Sequence, residues 1–184
     1  MIEKSLGPIE ATDMAFIEKD LELLPESGLN VIKFDEPYTH GLTGYNMKAV
    51  DYIIEFSDFY VFLELKDPDD PNARSRNKQD FINEFKSDTL KTSLSKKYRD
   101  SFIYRWAQDK VDKPIHYYVI VSLKSLKSVD YGILTDKLKK YLPQQYSKTW
   151  KRKFAAKCLV APIKVWNTEF PNCKIRRRSL MGQE

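Results

Sequence analysis

The sequence predicts an α/β fold in which a mixed central sheet is flanked by helices, and three stretches carry that expectation. Ala49–Lys66, AVDYIIEFSDFYVFLELK, reads as two largely apolar and aromatic strands joined by a tight turn at Ser57–Asp58. Ile115–Leu123, IHYYVIVSL, is an apolar strand of the kind buried in the middle of a sheet. Between them, from about Lys78 to Asp109, the pattern turns helical, as one long helix or two consecutive ones. Phe81, Phe85, Leu90, Leu94, Phe102 and Trp106 supply its apolar contacts.

Taken in order, the chain first offers a helix over Thr12–Leu24. Met14, Ile17, Leu21 and Leu24 form one apolar stripe, Thr12 suits the N-cap, and Pro25 ends it. Glu18 sits at the edge of that stripe, placed either to look into a site beside the sheet or to remain a flanking surface acid. A short strand, Leu29–Phe34, follows the turn PESG and leads to an irregular loop, DEPYTHGLTGYNMK, that contains His40. The central hairpin comes next and is stopped by Asp67-Pro-Asp-Asp-Pro. After the buried strand, Tyr131–Leu142 reads as a helix and Ser147–Lys157 as a basic amphipathic helix around Trp150 and Phe154. Cys158–Trp166 reads as a last strand, and CKIRRRS as a basic, disordered tail. No repeat or linker divides the 184 residues, so a single domain over 1–184 is expected, with a core at about 10–123 and a basic extension from about 144.

Composition narrows the function classes. There is no apolar run of transmembrane length, and the acidic opening MIEKSLGPIEATD lacks the pattern of a signal peptide. Two cysteines, Cys158 and Cys173, make neither a disulfide framework nor a zinc motif. A cytoplasmic, reduced protein with no membrane association is the expectation. The net charge of +5 hides an asymmetry: residues 1–40 carry nine acids against three bases, residues 146–178 ten bases against one acid. A basic end of this size suits a phosphate backbone, although a solvated Lys-rich surface gives the same count. In the helical stretch, SKKYRDSFIYRW interleaves bases with aromatics, as nucleic-acid-binding surfaces and aromatic-faced amphipathic helices both do.

The charges inside the hairpin need a reason, because charge is costly within apolar strands. With a two-residue turn, residues whose numbers sum to about 115 face each other by strand geometry, which sets Asp51 opposite Glu64 and Ala49 opposite Lys66. Glu64 and Lys66 share a face by the period of two. Two carboxylates and an ammonium thus converge, and opposed like charges call for a cation between them.

This constellation resembles the PD-(D/E)xK nuclease superfamily, the restriction-endonuclease-like fold with its αβββαβ core. Asp51 in AVDYI and Glu64-Leu65-Lys66 in FLELK carry the resemblance, with Val50 standing where the motif has its Pro. FIEKDLELL followed by SGLNVI resembles the first helix and strand, with Glu18 in the place of the helix glutamate. The resemblance implies a metal-dependent nuclease acting on DNA. Asp51, Glu64 and the Leu65 carbonyl would hold Mg²⁺ or Mn²⁺, Lys66 would serve the attacking water, and Glu18 would complete the shell. Lys91, Lys97, Arg99, Arg105, Lys151 and Arg152 are the candidates to grip phosphates. A homodimer or a partner protein is compatible with such an enzyme. The alternative is a catalytically inactive module of the same fold that binds nucleic acid or a partner subunit.

Overall fold

The computed structural model describes residues 15–41, 45–72, 75–143, 149 and 153–180. Its main sheet has five strands in the order β3 (Asn30–Lys33), β4 (Tyr52–Glu55), β5 (Tyr60–Lys66), β6 (Ile115–Val121) and β7 (Lys157–Ala161). The pairs β3–β4 and β4–β5 are antiparallel, whereas β5–β6 and β6–β7 are parallel. Parallel neighbours need crossover connections. Here α2 (Ser75–Lys86) and α3 (Thr89–Ala107) link β5 to β6, and α4 (Ser128–Tyr141) links β6 to β7. The expected α/β class with a mixed sheet flanked by helices is therefore observed. A one-turn helix, α1 (Pro37–His40), interrupts the loop after β3. Among the described residues no helix is long and apolar enough to cross a membrane.

The hairpin register follows the sequence pattern. Tyr52 faces Leu63, Ile53 faces Phe62, Ile54 faces Val61 and Glu55 faces Tyr60. The Phe56 amide donates to the Phe59 carbonyl at 3.0 Å, closing the turn around Ser57–Asp58. Strand β5 is buried from Tyr60 to Leu65 because both faces of the sheet are covered. Phe62 packs with Leu94 and Tyr98 of α3 and with Tyr117 of β6, and Leu134 and Leu138 of α4 extend this cluster. Leu63 and Leu65 point the other way, into a second cluster with Tyr118, Leu21, Leu23, Trp166 and Ile175.

That second layer corrects three expectations. Thr12–Leu24 is not a helix over its described residues. Instead β1 (Phe16–Glu18) and β2 (Leu21–Pro25) form an antiparallel hairpin, with Lys19 in the left-handed region at φ 57°. Leu21 and Leu23 are fully buried two residues apart, so the period of two prevailed over the period of the stripe. The ladder that makes β2 a strand comes from β8 (Cys173–Arg177), which is the segment expected to be a disordered tail. The supposed strand Cys158–Trp166 ends at Ala161. Pro162 then caps α5 (Ile163–Glu169), whose Trp166 indole donates to the Cys173 carbonyl at 2.6 Å. Residues 147, 148 and 150–152 of the basic helix expected over Ser147–Lys157 lie outside the described residues. Lys153–Ala156 are irregular, Ala156 is hydrogen-bonded to the Ile115 carbonyl, and Lys157 opens β7.

The three-stranded sheet β1–β2–β8 is locked to the main one by Arg177. Its guanidinium reaches Asp20 at 2.8 Å, the Ser122 hydroxyl at 2.8 Å and the Asp67 carboxylate. Asp67 directly follows Lys66, so the lock holds the end of β5 where the charged residues lie.

Candidate functional site

Alternation along β5 points Tyr60, Phe62 and Glu64 toward α3, and the Glu64 side chain is 0% exposed. Asp51 precedes β4 by one residue and so lies beside the C-terminal end of β5. In sheets with parallel strands, ligands gather outside such strand ends. One Asp51 oxygen, Oδ2, accepts from the Leu65 amide at 2.7 Å. The Lys66 carbonyl, one residue on, accepts from Ser122 on the β6 side. Successive peptide groups of a strand alternate in direction, so the Leu65 carbonyl is turned to the Asp51 side.

A cation stands between the two carboxylates, and it is a side chain. The Lys97 ammonium is 2.9 Å from Asp51 Oδ1 and 2.7 and 2.9 Å from Glu64 Oε1 and Oε2. Lys66 adds a second ammonium, 2.7 Å from Glu64 Oε1, with its side chain 32% exposed. Helix α3 is tied down where it presents Lys97. Ser101 Oγ accepts from the Val50 amide at 3.0 Å, Asp100 from the Lys48 amide at 2.8 Å, and Lys96 donates to the Asn46 carbonyl at 2.9 Å. These bonds fix the segment leading to Asp51 against the turns that flank Lys97.

Burial above all, and then the charge of Asp51, push the Glu64 carboxyl up to about 7 against the partial offset of Lys66 and Lys97. Burial opposes the Lys97 ammonium, but Glu64 and then Asp51 outweigh it and hold Lys97 above the usual lysine range. Lys66 is likewise raised, with Glu64 overcoming burial and the repulsion of Lys97.

A third carboxylate, Asp35, stands next to this cluster. It follows β3, and burial, then the charge of Asp51, raise its carboxyl. Its Oδ1 is buried and among the described residues accepts no hydrogen bond, with the Lys33 ammonium 3.5 Å away. Lys33 also pairs with Glu18 at 2.8 Å and approaches Glu36 at 3.8 Å. Glu18 is thus a strand residue paired with Lys33 and not a helix glutamate. The helix on which it was expected is replaced by the β1–β2 hairpin.

The phosphate-gripping candidates divide. Arg99 is exposed on α3, its Nε donating to the Ser95 carbonyl at 3.3 Å. Lys91 is fully buried, pairs with Asp88 at 2.9 Å and donates to the Ser87 carbonyl, so it presents no free charge to a ligand. Arg105 is buried with its guanidinium 5.5 Å from the centre of the Tyr60 ring. Both occupy the sheet-facing side of α3 with Leu94, Tyr98 and Ser101, which corrects their reading as surface bases. Lys151 and Arg152 lie outside the described residues. Lys97 belongs to the acidic cluster. Its position three residues after Leu94 and four before Ser101 was the sequence signal, because that spacing places it on the same side of the helix.

Among the described residues, no group of three or more His, Cys, Asp or Glu side chains is placed to share one metal ion. The donors that do converge still suit a hard cation. Three carboxylate oxygens surround the Lys97 ammonium, with the Leu65 carbonyl on the same side. No protein-family model, no curated protein and no solved structure matches the chain.

Proposed function

We propose that the protein is a metal-dependent nuclease that hydrolyses phosphodiester bonds in DNA, on a restriction-endonuclease-like core of the PD-(D/E)xK kind. The observation that carries this reading is the convergence of Asp51 and Glu64 on one cation position beside Lys66, at the C-terminal end of β5. The order β3–β4–β5–β6, antiparallel and then parallel, supports it, whereas the β1–β2 hairpin stands where the superfamily would have a helix. Asp51, Glu64 and the Leu65 carbonyl would hold Mg²⁺ or Mn²⁺. Bound there, the ion supplies Lewis acidity to the scissile phosphate and lowers the pKa of a coordinated water.

The remaining work falls to this chain's own residues. Lys66, partly exposed and held by Glu64, orients its ammonium toward the attacking water and offsets charge that develops on the phosphate. The Leu65 amide fixes the Asp51 carboxylate so that it need not reorganise. Arg99, exposed on α3, contacts the nucleic-acid backbone. In-line attack leaves a 5′-phosphate and a 3′-hydroxyl.

A second reading is favoured by one feature. Lys97 already satisfies both carboxylates, as it would in an inactive module that binds nucleic acid or a partner subunit. Incubation of plasmid DNA with Mg²⁺ or Mn²⁺ separates the two. The nuclease reading expects cleavage that is abolished by chelation and slowed at least ~10²-fold in Asp51→Ala and Lys66→Ala. Salt-sensitive binding with no cleavage in any divalent metal would support the inactive module instead.

A further inference from the structure

We infer that Lys97 is an internal occupant of the divalent-cation seat, holding it in the metal-free protein and leaving it when the metal binds. This inference rests on the metal-dependent reading of Asp51 and Glu64. Three carboxylate oxygens lie 2.7–2.9 Å from a single nitrogen that comes from a different element, helix α3. Mg²⁺ would take oxygens at about 2.0–2.1 Å, so metal and ammonium cannot share these ligands. Charge leads to the same exclusion. Asp51 and Glu64 balance Lys66 and Lys97, and a divalent ion added without loss of an ammonium would leave two uncompensated positive charges in a buried place.

Lys97 is built to leave. Its side chain is 20% exposed, and its four-carbon stem can turn outward while the α3 backbone stays tied through Ser101 and Asp100. A new partner is at hand in Asp35, which feels the charges of both Asp51 and Lys97 and whose buried Oδ1, 3.5 Å from the Lys33 ammonium, accepts no hydrogen bond among the described residues. Lys66 differs, because it touches Glu64 alone among the two carboxylates and from the solvent side. The two lysines therefore have separate roles. Lys66 works beside the metal, and Lys97 keeps the site neutral until the metal arrives.

The test compares wild type with Lys97→Met, which keeps the stem and removes the charge. Calorimetric titration with Mn²⁺ should show at least ~10-fold tighter binding in the variant, since its seat has lost a competitor. In EDTA the variant should melt below wild type, and Mn²⁺ should raise its Tm more than it raises that of wild type. A second measurement needs no variant: in wild-type protein labelled with ¹⁵N-lysine, the Lys97 ammonium resonance should shift as Mg²⁺ saturates. Equal or weaker Mn²⁺ binding in Lys97→Met, or a Lys97 resonance unmoved at Mg²⁺ saturation, overturns the inference. If neither protein binds a divalent ion, the inference and the metal-dependent reading fall together. If Lys97 is displaced by metal but DNA stays uncut, the inference stands and the nuclease reading alone fails.

Discussion

Replacing Glu64 by Gln should remove a loss of stability that the metal-free protein suffers between pH 4.5 and 8, although it removes a charge held by two lysines. Glu64 is fully buried, and burial, followed by the charge of Asp51, raises its carboxyl from an ordinary 4.5 to about 7. Between these values the native protein holds a proton that the unfolded chain has released. Stability contributed by Glu64 is therefore present at pH 4.5 and is lost as the pH rises through 7. At about 1.4 kcal/mol per unit, the loss comes to at most ~3 kcal/mol. Gln does not ionise and escapes that loss. Urea denaturation in EDTA across pH 4.5–8 measures both proteins, and titrating groups remote from Glu64 cancel in the difference. The variant should draw ahead of wild type by up to ~3 kcal/mol between the two ends of the range. If wild type gains on the variant as the pH rises, Lys66 and Lys97 outweigh burial and the Glu64 carboxyl lies below 4.5.

Two further outcomes probe the parts of the chain that hold and surround the site. Arg177→Met leaves Asp20 and Asp67 buried without their shared guanidinium, which should cost about 3–5 kcal/mol at pH 7. The deficit should shrink as the pH falls, because burial already raises the Asp67 carboxyl and loss of Arg177 removes what lowers both carboxyls, and a loss under ~1 kcal/mol in urea denaturation at pH 7 would contradict the lock. Arg99 and Arg105 lie six residues apart on α3 but should behave differently when DNA binding is followed by fluorescence anisotropy at several salt concentrations. Arg99→Ala should reduce the slope of log K against log salt by about 1, whereas Arg105→Met should leave the slope unchanged and lower the Tm. A reduced slope in Arg105→Met would mean that its guanidinium leaves Tyr60 for a phosphate.

The Ala49–Lys66 hairpin, the helical stretch after it and the strand that begins at Ile115 were legible in the sequence because their determinants are local. A two-residue turn fixes which residues face each other, and the alternation of apolar side chains fixes which face each one takes. The need for a cation between Asp51 and Glu64 follows from the same register. Of the cation itself the sequence held only the spacing of Lys97 from Leu94 and Ser101. Lys97 reaches the carboxylates because α3 packs on the sheet through Leu94, Tyr98 and Ser101, and that rotation of the helix is set by tertiary contacts. The same packing buries Lys91 and Arg105, which sequence alone cannot separate from the exposed Arg99. The first and last segments failed for a related reason. Residues 21–25 become a strand because residues 173–177, some 150 positions later, supply the hydrogen-bond ladder and Arg177 to hold it. Short-range periodicity therefore determined the hairpin and its electrostatic demand, while long-range packing decided which side chain answers that demand.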